Sequence, residues 1–532
     1  MRKPCSGLTV CDPLEPRRLL ATFSVTTTAD AGTGSLRAAV AQANALQGPD
    51  VITFAIPPLS TISLTTGELV VTDQLTVRGP AGAEINLNAQ GLSRIFNVGS
   101  TSRTLTLENL ALRNGFVGDS GGSPDQYAGG AVRIARANLV ATRTRFFFNE
   151  AFGGGGAIAS FGGALVETDR CTFAGNVSAS DGGAVLVYGD YLDTGSGYAD
   201  NVSSSYGGGL SIVPNDDAGS LQLTNTIFQN NVSLNGAGLN STVGGVLTGV
   251  QFIGNAADTS AGQSSGGGAN IYDFRPSPNL IQVIECDFLD NRGALGGGLT
   301  SGSEGELLIV RSRFAGNKLK PAGAAFPTVG GGLNLRGFAS AQILESEIAS
   351  NGLAEGIGDR DHPAELDFEG PNLLGVQLMS DPDAAGAIFS DDPELMPLDF
   401  YGGPTRTTPP EPKTQTNAGS PAYNAGSSDF AVDPGPDEIF GTADDVPLGS
   451  DQRNFPREIY GQVDLGAAEF VIQGDANLDG TVNLSDFVIL RNNFGSGGLF
   501  SQGDFNGDGQ VDLADFVLLR NNFGKSVVTV NE

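Results

Sequence analysis

The chain has 532 residues, and its 59 acidic against 29 basic side chains leave a formal net charge of −30. That balance repels nucleic acid and anionic membrane surfaces and suits divalent cations, while no run of 18 apolar residues offers a membrane span. Glycine, at 77 residues, is about twice as common as usual without a collagen period; tryptophan is absent, which disfavours indole sugar platforms, and four cysteines are too few for a disulfide framework.

Residues 1–22 carry Arg2 and Lys3 but lack the roughly 7–15-residue apolar core of a secretory signal. They contain Leu14-Glu15-Pro16-Arg17-Arg18-Leu19-Leu20-Ala21. This resembles the Leu-Glu-Pro-Arg-x-Leu-Leu segment near the N-termini of planctomycete extracellular proteins, and the resemblance implies export. A basic tail without structure is the alternative.

Leu36, Ala39, Val40 and Ala43 follow helical spacing between the strand-like stretches Val25–Asp30 and Val51–Phe54. The segment Gly34-Ser35-Leu36-Arg37-Ala38-Ala39 resembles the Cys-Ser-Leu-Arg-Glu-Ala cap of secreted right-handed β-helix proteins, with Gly34 in place of the cysteine and Ala38 in place of the glutamate. A helix here is expected to cover the first open turn, because a solenoid end must block edge pairing.

Residues 51–114 alternate in strand fashion, and from 129 to about 351 a repeat takes over. Gly154-Gly155-Gly156-Ala157-Ile158 opens one unit and Cys171-Thr172-Phe173-Ala174-Gly175-Asn176 closes it. Like closures stand at Phe146/Asn149, Tyr198/Asn201, Phe228/Asn231, Phe252/Asn255, Phe288/Asn291, Phe314/Asn317 and Ile348/Asn351. Asn149 to Asn176 is 27 residues and Asn231 to Asn255 is 24, periods of solenoid size. Residues 23–370 therefore read as an all-β, right-handed parallel β-helix, similar to the pectate-lyase type; a leucine-rich repeat fits the glycine triplets and phenylalanines less well. Alternation puts Cys171 and Phe173 inside and Arg170 and Thr172 outside. Asn at the corner suits left-handed backbone angles and a stacked amide ladder. Cys171 and Cys286 fall in one inward column four turns apart, on the order of 19 Å, too far for a disulfide.

On the outward face, Glu285 and Asp287, Arg311 and Arg313, and Glu345 and Glu347 follow on three successive turns. Either this is a polysaccharide site, since β-helix lyases resemble it in setting an arginine base beside acidic groups, or it is a solvated ladder of ion pairs each worth under about 1 kcal/mol. The weak catalytic candidates are thus Arg311, Arg313, Glu285 and Asp287. The Asp-Asp and Gly-His-Gly motifs of β-helix pectin hydrolases are not matched, and the single histidine, His362, reads as a surface-loop residue.

Residues 371–472 shift to proline, aspartate and irregular text. Asp392-Pro393-Glu394-Leu395, Gly402-Gly403-Pro404-Thr405, Ala418-Gly419-Ser420-Pro421-Ala422, Asp451-Gln452-Arg453, Pro456-Arg457 and Val463-Asp464-Leu465-Gly466-Ala467-Ala468-Glu469 follow in order. They resemble the choice-of-anchor Q region that follows β-helices in secreted bacterial proteins, although Asn424 and Tyr401 depart from its pattern. Asp433, Asp437, Asp444 and Asp445 crowd an insertion that reads as an acidic loop or a further calcium site.

Residues 473–525 carry the strongest chemical signal, ahead of a tail at 526–532. Asp475, Asn477, Asp479, Thr481, Asn483 and Asp486 return 29 residues later as Asp504, Asn506, Asp508, Gln510, Asp512 and Asp515, with glycines 480 and 509 at the turn. Side-chain oxygens at loop positions 1, 3, 5 and 12, a backbone carbonyl at 7 and a water at 9 suit a hard cation. Helices ending at Gly495 and Gly524 should follow the loops; none precedes the first, where Glu469–Ile472 reads as a strand. Two loop-plus-helix halves with Asp in twelfth place resemble a type I dockerin. The resemblance implies two bound calcium ions and docking onto a cohesin-like or cell-surface partner through Leu484, Ser485, Arg491 and Asn492, with Leu513, Ala514, Arg520 and Asn521 in the other half.

Two functions follow. One is a secreted, extracellular or cell-surface calcium-binding scaffold or matrix protein whose solenoid displays a binding face, with polysaccharide as a candidate ligand, and whose C-terminal module attaches it. The alternative is a polysaccharide lyase or glycoside hydrolase on the same solenoid. Fold does not decide between them, and no catalytic motif of either enzyme class can be traced residue by residue.

Overall fold

The computed structural model describes residues 20–527 except 100–102, 120, 258–265, 279, 320–330, 337–339, 350, 352–356, 360–365, 370–371, 375–387, 391–392, 403–405, 414–418, 428–431, 434–445, 448 and 454. His362, Asp437, Asp444, Asp445 and residues 1–19 thus lie outside the described residues.

A strand with its polar groups paired on both sides must stack, and here short strands stack into a parallel β-solenoid of about 11 turns. Sheets of 22, 13 and 8 strands run along it among the described residues. One turn shows the logic. Arg145–Phe147 lies in the 13-stranded sheet and Glu150–Ala151 in the 8-stranded one, and after a glycine corner Ile158–Asp169 crosses the large sheet. The glycines at that corner are required. A Cβ on Gly155 (φ +59°) would lie 2.0 Å from the Ile158 carbonyl oxygen, and one on Gly156 would lie 2.2 Å from that of Gly183 in the next turn.

Inside, identical residues meet on successive turns. The rings of Phe146, Phe173, Tyr198, Phe228, Phe252, Phe288 and Phe314 stack with centroids 4.5–5.0 Å apart. Beside them, the side-chain amide of each of Asn149, Asn176, Asn201, Asn231, Asn255, Asn291 and Asn317 donates to the Oδ1 of the next asparagine at 2.9–3.0 Å. The expected ladder is present, but the left-handed backbone is not on the asparagines. It falls one residue earlier, at Phe148, Gly175, Asp200, Asn230, Gly254, Asp290 and Gly316. That residue turns the chain, and the asparagine after it is left extended and buried to bond along the stack.

Helix α1 (Leu36–Ala45) starts at Ser35, whose Oγ accepts the Ala38 N–H, and buries Leu36, Ala39, Val40 and Ala43. It packs on the first strands, Thr22–Val25 and Asp50–Phe54, and so caps the end as the sequence implies. Cys171 and Cys286 are buried and free, and burial pushes the Cys171 thiol up to about 12.

The solenoid does not stop at 370: Leu373–Leu374 and Ile388–Phe389 extend the 13-stranded sheet. Downstream, the chain to 472 is largely irregular and lies over the outer face of the last turns. Leu395 and Leu398 cover Ile253, Leu289 and Ala315, while Ala422 and Leu465 cover Leu373. Val432–Asp433 pairs antiparallel with Val446–Pro447. Glu469–Ile472 is not a strand. Its apolar residues join a second core with Phe455, Ile459, Val482, Leu490, Phe500, Phe505, Val511 and Leu519, which ties helices α2 (Leu484–Asn493) and α3 (Leu513–Asn522) to this cover.

Candidate functional site

The outward charges stand in the expected register, Asp287 beside Arg313 beside Glu347. They are outward from the solenoid but not solvated, which corrects the ion-pair-ladder reading: Glu285, Asp287, Arg311, Arg313, Glu345 and Glu347 are all buried under residues 401–469. Arg313 Nε donates to Glu347 at 2.8 Å and its Nη1 to Thr408 Oγ1 at 2.8 Å. Arg311 Nε donates to Glu345 at 3.0 Å, and Glu345 accepts the Ser427 N–H at 2.6 Å. Asp287 accepts Nε2 of both Gln251 (3.1 Å) and Gln452 (2.8 Å).

From the cover, Arg457 lies 3.9 Å from Glu285 and 3.2 Å from Glu469, and Arg453 is paired with Asp451 at 2.6 Å. Low dielectric governs the titration here. Burial pushes Glu285 up to about 7 against the pull of Arg457, Asp464 up to about 6 and Glu469 well above the ordinary carboxylate range. Burial and the neighbouring Arg457 bring Arg311 down to about 10. For a polymer to reach Arg311 or Arg313, the cover would have to lift. Of the motif residues, Gln452 and Arg457 thus reach the solenoid, at Asp287 and Glu285, while Asp451, Arg453, Asp464 and Glu469 tie the cover together behind them. Their order in the sequence was the signal, and its purpose was invisible without the partner face.

The second candidate is the pair of acidic loops. Gly480 and Gly509 both take φ +83°, as the loop turn demands. Asp475 accepts the N–H of Asp479 (3.1 Å) and Gly480 (2.9 Å), and Asp504 those of Gly507 and Gly509 (2.8 Å each). Asp486 and Asp515 close capping boxes with Asn483 and Asp512 at the starts of α2 and α3. Asp475, Asp486, Asp504 and Asp515 are buried, whereas Asn477, Asp479, Asp508 and Gln510 face solvent.

Among the described residues no three His, Cys, Asp or Glu groups converge as a metal cluster; the carboxylates rest on backbone amides. The donor set nevertheless fits a hard cation. Burial pushes Asp475, Asp504 and Asp515 up and the charges of neighbouring carboxylates push the same way, offset in part by hydrogen bonds from backbone amides and, at Asp475, from Tyr460. A cation would relieve that repulsion. It would be held by the side chains of Asp475, Asn477, Asp479 and Asp486 with the Thr481 carbonyl, and by those of Asp504, Asn506, Asp508 and Asp515 with the Gln510 carbonyl, Asn483 and Asp512 reaching it through water.

The loops differ in one contact that the sequence did not announce. Tyr460, on the cover and itself at φ +55°, donates its hydroxyl to Asp475 Oδ2 at 2.9 Å, whereas Asp504 is held by its own loop. On the far side, Leu484, Ser485, Arg491, Asn492, Leu513, Ala514, Arg520 and Asn521 are all exposed.

Residues 473–524 match the family of the dockerin type I domain. No curated protein matches the chain. Among solved structures, one described as a PL6 family alginate lyase, AlyGC, aligns with 81% of this chain at 14% identity and a TM-score of 0.41. The chain spans 60% of that protein's length. Among the described residues no helix is long and apolar enough to cross a membrane.

Proposed function

We propose that the chain is a secreted, calcium-dependent surface or matrix protein. Its solenoid displays a lateral binding face, and its C-terminal module docks onto a cohesin-like partner. The match of residues 473–524 to the dockerin type I family carries this reading; the paired loops with buried, mutually repelling carboxylates and the two exposed sets of docking residues support it. Each loop takes one calcium ion, through the ligands named above.

The test is calorimetric titration of the full chain with calcium. Because Phe455 and Ile459 share the core of α2 and α3, a fragment starting at 470 would lose part of that core, so the whole protein is the proper sample. Two binding events, accompanied by protection of residues 473–524 from proteolysis, are expected; a titration without heat at any temperature would overturn the reading. The alternative, a polysaccharide lyase or glycoside hydrolase on the same solenoid, needs the cover to leave Arg311 and Arg313. Cleavage of acidic polysaccharide in calcium, abolished by Arg311→Ala or Arg313→Ala, would establish it.

A further inference from the structure

We propose that the corner between the 13-stranded and 8-stranded sheets, over residues 88–150, is a binding subsite for an uncharged polysaccharide. It deepens the display role of the solenoid and rests on that role, but not on what the C-terminal module docks to.

The first observation is a residue out of place. The chain turns this corner with a left-handed residue on each coil: Gln90 (φ +56°), Asn114 (+54°), Phe148 (+55°) and then Gly175 (+63°). Glycine or an amide takes that conformation at little cost, but a bulky aromatic is an outlier there and is strained. The solenoid does not need Phe148, since Gly175 makes the same turn on the next coil. Phe148 is nonetheless 66% exposed. Its ring leans over Gly175, where a Cβ would come within 2.7 Å of it, so the aromatic face is laid along the surface. Phe116, 38% exposed, is two residues beyond Asn114 and in register with Glu150.

These side chains line a solvent-open cavity of about 340 Å³. Its floor is a row of amides. Asn88 Oδ1 accepts the Gln90 N–H at 2.9 Å and the Asn114 amide at 3.0 Å, and Gln90 Nε2 donates to Ser63 at 3.1 Å. Gln90, Asn114 and Glu150 line the cavity with Phe116 and Phe148, so amide and carboxylate groups stand beside two aromatic side chains. Gln90, Asn114 and Phe148 sit on consecutive turns about 4.8 Å apart, a length that takes two or three pyranose rings end to end.

An aromatic face for the C–H side of a ring, with amides and a carboxylate for its hydroxyls, is the chemistry of a sugar. Charge selects which sugar. The guanidiniums of Arg113 and Arg145 stack over Phe147 and do not line the cavity, while Glu150 does. With a net charge of −30 on the chain, a uronate polymer would be repelled and a neutral one would not.

The experiment is calorimetry of the full chain with neutral hexasaccharides (xylo-, cello-, manno- and laminari-) and with galacturonate and alginate hexamers. At least one neutral oligosaccharide should bind and neither acidic one should. Phe148→Gly should weaken binding tenfold or more while leaving the thermal midpoint unchanged or higher, because glycine suits the corner. Asn114→Gly should also weaken it. Failure of every neutral oligosaccharide, preference for the acidic ones, or binding indifferent to Phe148→Gly would each overturn the subsite. Calcium titration of the same samples separates this outcome from a failure of the C-terminal module.

Discussion

The two columns that run along the last turns are held together by opposite means. Inside, Phe228, Phe252, Phe288 and Phe314 meet their own kind on each coil, and the asparagines beside them do the same. Nothing charged is involved and every turn repeats the last. Outside, Arg311 pairs with Glu345 of the next turn, while Glu285 and Glu345 meet residues of the cover that occur once, Arg457 and Ser427, the latter 82 positions from Glu345. A repeated column can lose one member and keep its neighbours in place. A unique charged column cannot, because each buried charge without its partner carries the full cost of desolvation.

The most severe break in that comparison is Arg313→Ala. It strands Glu347 with its one paired oxygen unsatisfied in a dry interface, a loss of about 3–5 kcal/mol. Release of the cover, read as faster proteolysis within residues 390–470 while the solenoid core stays protected, is the expected outcome. Replacing Arg313 and Glu347 together with Met and Leu should restore most of the protection. If the double variant is as labile as the single one, the pair is not what fastens the cover.

Acidity should sharpen the comparison next. Glu285 titrates near 7 and Asp464 near 6 in the folded interface, above the values they would have when released. The contribution of Glu285 is therefore complete below about pH 4.5 and that of Asp464 below about 3.8, and both are lost as pH rises through 6 to 7, a difference of roughly 3 kcal/mol at most for Glu285. With calcium held constant, the cover should protect better at pH 5 than at pH 8, and Glu285→Gln should flatten the difference. The one titratable member of the inner ring stack, Tyr198, is pushed well above the usual phenol range by burial, so the stack should be indifferent between these two pH values.

Phe228→Leu removes two ring pairs, with Tyr198 at 4.6 Å and Phe252 at 5.0 Å, for about 1–3 kcal/mol. Hydrogen exchange is the right measurement, since a solenoid need not unfold in one step; faster exchange should be confined to the adjoining turns. This local response is also why the solenoid was legible in the sequence. Each Phe and Asn has its neighbours one repeat away, so spacing alone announces the stack, and the helix at Leu36–Ala45 and the two acidic loops are likewise written in short-range spacing. The outer column was misread as solvated because its partners, Arg457, Asp464 and Ser427, lie in aperiodic text that gives no register. Glu469–Ile472 alternates like a strand, but its residues are shared between the charged groups of the cover and the core of α2 and α3, which sequence alternation cannot distinguish.

The smallest effect tests whether the two acidic loops, near copies in sequence, are equivalent in the folded chain. Among the described residues only the first has a side-chain partner from the cover on its leading aspartate, the Tyr460 hydroxyl on Asp475. A group that orients a ligand carboxylate from behind typically matters by 10-fold or more in metal affinity. Tyr460→Phe keeps the ring, which packs near Gly480, and deletes only the donor. In a calcium titration of the full chain, one of the two binding events should weaken about tenfold, near 1.4 kcal/mol, and the other should stay put. Weakening of both together would mean that the loops respond as one unit. No change in either would leave Tyr460 as packing alone and the cover without influence on the metal loops.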